Sequence, residues 1–166
     1  MDYNKVLEYH IDKQADITIV TKTIDESEEA SRFGVVTADN TGRVVSFEEK
    51  PLMTDNRNVS TGVYVIRRRL LIDLIESAEE EERYDFVKDI IIRYMTIKKV
   101  YAYQMDSYWS NIATTESYFK TNMDFLNKDI RDYFFREYPD IYSKIEDLPP
   151  AKYNPGSKVR NSLVSS

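Results

Sequence analysis

The apolar positions of this chain change their period several times. Val6, Leu7, Tyr9 and His10 fall on one side of a 3.6-residue repeat, which predicts a helix over Tyr3–Lys13. The stretch Asp16–Thr23, DITIVTKT, then alternates. Ile17, Ile19 and Thr21 share one face and Thr18 and Val20 the other, as in a strand. Asp25–Ala30 is acidic and reads as a loop or a short helical turn. Two β-branched runs come next, Val35–Thr37 and Val44–Phe47, separated by Asp39, Asn40, Thr41 and Gly42. Those turn residues tolerate the backbone angles that branched side chains avoid, so Phe33–Pro51 reads as a β-hairpin with a loop longer than two residues.

Beyond the hairpin, Leu52–Val59 is polar and loop-like. Ser60–Ile66 is a strand that becomes apolar on both faces, the mark of a central position in a covered sheet. Arg67–Ala78 carries Leu70, Leu71, Leu74 and Ile75 on one side of a helix, and Glu79–Glu82 reads as a charged loop. Phe86, Val87, Ile90, Ile91, Tyr94 and Met95 repeat at the helical period, so Tyr84–Met95 reads as a second helix with Asp85 as its cap. Lys98–Met105 is a strand, and Thr114 or Thr115 caps a helix running through Leu126. Asn127–Asp147 holds one or two short helices, and two prolines after Leu148 end them. The tail from Ala151 has no period and reads as a linker or frayed terminus. Alternating strands and helices make the class α/β.

Composition narrows the chemistry. At 166 residues, with 42% apolar, the chain can form a domain with its own core. The net charge of −6 and the lack of a basic run argue against nucleic acid. No apolar run approaches the roughly 20 residues of a membrane span, so a soluble cytoplasmic protein is expected. The absence of cysteine removes thiol catalysis, and the single histidine, His10, cannot form a histidine metal cluster. No nucleophile stands near His10, which reads as a helix-surface or half-buried residue. Carboxylates remain as possible metal ligands and would suit magnesium. The outgoing hairpin strand ends on Glu48, Glu49 and Lys50, and Pro51 stops the ladder. Lys50 could meet a phosphate and Glu49 the hydroxyls of a sugar; the same residues could also be a solvated strand end with a weak ion pair.

Five motifs in order, FGVVTADNTGRVVSFEEKP, STGVYVI, YDFVKDII, YWSNIATTESYFKTNMDFL and LPPAKYNPGSKVRNSLVSS, resemble the bacterial glucose-1-phosphate adenylyltransferases of glycogen synthesis. The resemblance runs from about Asp2 to Val164 and covers less than half of a full-length member. It implies part of a Rossmann-like, GT-A-like nucleotidyltransferase domain with a mixed sheet over residues 1–147. A linker and the truncated first coil of a left-handed β-helix would occupy 148–166. The half carrying the glycine-rich ATP loop and a magnesium-binding aspartate would lie outside this chain, which has only four glycines.

Carried over to these positions, Glu49 and Lys50 match the family's sugar and phosphate contacts, and Ser60 and Tyr64 the strand that floors the pocket. Asp85 and Phe86 match its D-F pair, and Trp109 its aromatic wall. The family's W-x-D-V-G-T pattern reads here Trp109-Ser110-Asn111-Ile112-Ala113-Thr114, so a neutral amide replaces the metal-binding aspartate. Tyr84 also stands where many members have histidine. These departures are similar to the GlgD-type subunit, a regulatory or weakly active paralogue that pairs with a catalytic subunit in a hetero-oligomer. The resemblance therefore implies sugar-phosphate binding, magnesium in the parent family but none on this chain, no catalytic residue here, and no turnover by this chain alone. The alternative is a competent sugar-phosphate nucleotidyltransferase with a different sugar or nucleotide.

Overall fold

The computed structural model describes residues 1–26, 28–137, 149 and 151–164. The chain divides into two units, Met1–Ser107 and Tyr108–Ser166. The expected domain boundary at 147/148 lies outside the described residues.

In the first unit, helix α1 spans Tyr3–Asp12. The Asp2 carboxylate accepts from the Asn4 amide at 3.0 Å and satisfies one of the donors a helix start leaves open. Val6 and His10, four residues apart, are buried on one side. The helix ends where Gln14 turns left-handed at φ 46. Strand β1 is Ile17–Thr23, and its first five residues are all buried. Because side chains alternate along a strand, five in succession require cover on both faces. Ile17 and Ile19 belong to the main core, while Thr18 on the opposite face meets His10 of α1.

The hairpin forms as expected. Strand β2, Gly34–Ala38, pairs antiparallel with β3, Val44–Glu49. One carboxylate oxygen of Asp39 accepts from the Thr41 amide (2.8 Å), the Thr41 hydroxyl (2.6 Å) and the Arg43 amide (3.0 Å), which fixes the turn. The Thr41 hydroxyl is the main reason the Asp39 carboxyl is held below its usual range. Gly42 has φ +85 and backs onto the Tyr9 hydroxyl, so no side chain fits there. The tip is clamped at two further points: the Ala102 amide donates to the Gly42 carbonyl (2.8 Å), and the Lys13 ammonium donates to the Thr41 carbonyl (2.8 Å).

Strand β4, Asn58–Ile66, pairs antiparallel with β1, and β5, Val100–Gln104, pairs parallel with β1. The sheet order is β3-β2-β4-β1-β5, a mixed sheet. Helix α2, Arg68–Glu80, and a π-helical segment, Phe86–Ile92, cover the face that carries Ile17 and Ile19. The core on that side is built from Ile17, Ile19, Val36, Phe47, Leu74, Ile90, Ile91 and Val100. Fully burying each such side chain is worth about 1.5–3 kcal/mol.

Three sequence expectations change. The helix expected to stop at Ala78 runs on through Glu79 and Glu80. Buried Ala78 anchors its last turn, and the two glutamates point to solvent. The helix expected over Tyr84–Met95 is a π segment over Phe86–Ile92. Its wider turn lets five apolar residues in seven reach the sheet, where an α-turn would swing one away. His10 is buried rather than half-buried, at 6% exposure, because Thr18 supplies a partner for its ring.

In the second unit, α3 spans Thr115–Asp124 and opens on a capping box in which Thr114 and Ser117 bond each other's backbone amides. Helix α4, Lys128–Asp132, is capped by Asn127, and a π segment, Tyr133–Glu137, continues it. Tyr108, Phe125 and Phe134 form an aromatic cluster, with 5.3 Å between the two phenylalanine ring centres. The described tail residues 151–164 contain a turn at Pro155–Gly156 and no strand or helix. No helix among the described residues is long and apolar enough to cross a membrane.

Candidate functional site

The site is built from the end of β3, the middle of β4 and the start of the π segment. Strand β3 delivers Glu49 as its last residue. Lys50 then turns left-handed, with φ 49, while its amide still donates to the Phe33 carbonyl at 3.1 Å. The turn leaves the Lys50 ammonium 3.9 Å from the Glu49 carboxylate. The lysine side chain is 68% exposed and the glutamate 22%, so the pair offers an open cation beside a sheltered anion. An exposed pair at that distance adds little to stability.

Beside Glu49, β4 carries Ser60 and Tyr64. The register against β1 skips at this point: Tyr64 faces Ile19 and Ser60 faces Thr21, so four residues of β4 span two of β1. The excess is taken up as a bulge around Gly62, whose φ of +79 suits glycine. In a regular strand these two residues would stand about 13 Å apart along the axis. The bulge shortens the path, and the Ser60 and Tyr64 hydroxyls lie 3.3 Å apart. Burial pushes the Tyr64 hydroxyl up in pKa, the Ser60 hydrogen bond opposes that, and the nearby Glu49 charge adds to it. The Glu49 charge is thus close enough to disfavour ionisation of the Tyr64 phenol.

The Tyr64 ring meets the edge of Phe86, with centres 5.5 Å apart. Asp85, the residue before it, caps the π segment: one carboxylate oxygen accepts from the Val87 and Lys88 amides at 3.0 Å each. Those bonds, the Lys88 amide first, hold the Asp85 carboxyl below its usual range. A cleft of about 320 Å³ opens beside them, lined by Ile75, Tyr84, Asp85, Phe86 and Ile90 among others. Glu49, Lys50, Ser60, Tyr64 and Phe86 are thus linked pair by pair, while Asp85 precedes Phe86 in the chain and lines the cleft with it. Trp109 and Asn111 belong to the second unit, just before α3.

Such a set can hold a small polyol phosphate. A mobile cation suits a phosphate, carboxylates and hydroxyls suit sugar hydroxyls, and the Tyr64–Phe86 wall excludes water on one side. Magnesium fits this chain poorly. Among the described residues no three histidine, aspartate or glutamate side chains converge, and the amide of Asn111 offers no charge. Sequence reasoning did not single out Gly34 or Phe47, which pack against Glu49. No simple count from the turn at Asp39–Gly42 finds this pair, because the register shifts by one residue between Thr37 and Ala38.

A nucleotidyl transferase family model matches residues 1–128. Among curated proteins, the chain is 36% identical over 168 residues to a glucose-1-phosphate adenylyltransferase of Thermomicrobium roseum, a match covering 100% of this chain and 39% of that protein. It is 36% identical over 168 residues to the protein of the same name from Bacillus subtilis, covering 99% of this chain and 44% of that one. The corresponding Thermosipho melanesiensis protein is 33% identical, with 99% and 40% covered. The chain therefore spans about two-fifths of the length of these relatives.

Proposed function

The chain belongs to the nucleotidyl transferase family, and from that premise we propose that it forms the sugar-phosphate-docking part of a cytoplasmic glucose-1-phosphate adenylyltransferase subunit in glycogen biosynthesis. The parent reaction would join ATP and glucose 1-phosphate into ADP-glucose and pyrophosphate. The sugar phosphate oxygen attacks the α-phosphorus, so no protein nucleophile is required. What supports this reading is the run of pairwise contacts Lys50–Glu49, Ser60–Tyr64 and Tyr64–Phe86, in a chain whose relatives bear that enzyme's name. In this reading Lys50 takes the phosphate. Glu49 and Asp85 accept from sugar hydroxyls. Tyr64 donates from the floor. The tail 158–164 would open a left-handed β-helix in the parent.

Asn111 supports a finer reading. Phosphoryl transfer relies on metal ions to neutralise charge developing on the phosphates, and a neutral amide at the family's aspartate position weakens that support. The parent subunit is then regulatory or weakly active and works beside a catalytic subunit in a hetero-oligomer. The binding test is titration of this chain with glucose 1-phosphate, monitored by NMR, with Lys50→Ala as control. Saturable binding lost in the variant supports the docking role, and no binding by the unmodified chain overturns it. The subunit role is tested by ADP-glucose formation with the full-length parent, alone and mixed with its catalytic partner. Strong activity alone rejects the regulatory reading. Activity raised by Asn111→Asp assigns the deficit to metal binding.

A further inference from the structure

The carboxylate of Glu49 lies over a residue that has no side chain. Gly34 of β2 stands directly opposite Glu49 in the antiparallel register. Gly34 is buried, and its φ lies outside the left-handed region, so its backbone would accept any residue. Space alone excludes one. A Cβ at Gly34 would stand 2.6 Å from Cζ and 2.7 Å from Cε1 of Phe47, and 2.9 Å from Oε2 of Glu49. Contacts that short do not occur between real atoms, so something would have to shift.

The two neighbours differ in how far they can yield. Phe47 is 4% exposed and packed in the core with Val36 and Ile90, so its ring yields only by a small repacking. The Glu49 carboxylate is the far end of a flexible, partly exposed side chain and moves easily. Glycine within a strand weakens pairing, so its presence at this position has to be set against something it permits. Here it permits both the ring and the carboxylate to lie over β2, with the carboxylate 3.9 Å from the Lys50 ammonium.

We propose that Gly34 is a positioning residue: its missing side chain sets where the Glu49 carboxylate sits, and through it how the site recognises sugar hydroxyls as distinct from phosphate. The proposal rests on the docking role given above to Glu49 and Lys50. It predicts that a methyl at position 34 damages recognition of the sugar and spares that of the phosphate, because the atoms nearest such a methyl belong to Phe47 and Glu49.

The experiment measures binding of glucose 1-phosphate and of inorganic phosphate to the full chain for the unmodified protein, Gly34→Ala, Glu49→Ala and the double variant. Gly34→Ala should weaken glucose 1-phosphate on the order of tenfold, the loss of one charge-assisted hydrogen bond, and leave inorganic phosphate unchanged. In the Glu49→Ala background the same substitution should add nothing. Equal losses in both backgrounds, or unchanged sugar-phosphate binding in Gly34→Ala, overturn the proposal. Gly34→Ala/Phe47→Leu makes room for the ring while keeping the clash with the carboxylate, so a folded double variant must still lose sugar recognition. A ligand-free readout separates this inference from the function it rests on. The carboxyl ¹³C signal of Glu49 should move in Gly34→Ala, and a fixed signal overturns the positioning role even if the unmodified chain binds glucose 1-phosphate. A moved signal without sugar-phosphate binding by the unmodified chain upholds the positioning role and overturns the docking function alone.

Discussion

Replacing Thr18 by valine tests how α1 is fastened to the sheet. The Thr18 hydroxyl and Nδ1 of His10 are 2.8 Å apart, with Thr18 fully buried and His10 only 6% exposed. Valine keeps the shape and removes the oxygen. Nδ1 is then left in an apolar setting without a partner, which costs about 1–3 kcal/mol for a neutral group. His10 also borders a cavity of about 560 Å³ between α1 and the ends of β4 and β5, and a water entering there could restore part of the bond. The lower half of the range, about 1–2 kcal/mol, is therefore expected. For a unit of this size each kcal/mol lowers the melting midpoint by about 4–8 °C. Urea unfolding monitored by circular dichroism, with thermal melts alongside, measures it. A Thr18→Val variant within about 0.3 kcal/mol of the parent, with an unchanged imidazole NMR signal, would refute the idea that this bond secures the helix.

Three other outcomes are expected from the same structure. Burial first, then the Arg67 guanidinium, hold His10 below the ordinary imidazole value; Asp16, bonded to Arg67, and Lys99 are the other charges near it. Below about pH 6.5 the unfolded chain takes up a proton that the folded one refuses, so stability should fall with falling pH, by at most about 1.4 kcal/mol per unit, and level off below the native pKa. With one histidine in the chain, a single NMR titration checks this, and a midpoint at or above 6.5 contradicts it. Ile91→Ala, at a fully buried position, should cost about 2–5 kcal/mol in urea unfolding; less than about 1 would mean the π segment is not packed on the sheet. Lys50→Gly relieves a left-handed backbone, so it should leave stability unchanged or raised by up to about 1 kcal/mol while abolishing phosphate binding, and a clear destabilisation would contradict the strain.

The sequence carried most of the sheet because its signals were local. Asp39, Thr41 and Gly42 announce the turn, and the β-branched runs on either side announce the strands. A threonine cap is legible at Thr114 or Thr115, and the bonds between Thr114 and Ser117 decide for the first. The π segment was not legible. Phe86, Val87, Ile90 and Ile91 satisfy an α-period and the wider one almost equally, and only the sheet beneath them decides. His10 was underestimated because its partner lies eight residues away on another element. Glu49 and Lys50 could be read from the strand end and its proline, whereas Ser60, Tyr64, Asp85 and Phe86 entered through the family likeness. What brings Tyr64 to Ser60 is a bulge, and bulges leave little trace in a single chain beyond one glycine.

The widened turn after Asp85 has an evolutionary corollary. A helix of that kind holds one residue more than its ordinary counterpart needs, and losing any one residue between 87 and 92 would snap it into the commoner form. The first turn of the segment would then rotate by about 100° relative to its last turn. The phenyl group at 86 would leave Tyr64, and its acidic neighbour would face open solvent. A one-codon deletion there should therefore silence the cleft and strip core packing around Ile90 and Ile91 together, which ties the pocket and the cover of the sheet to the same seven residues.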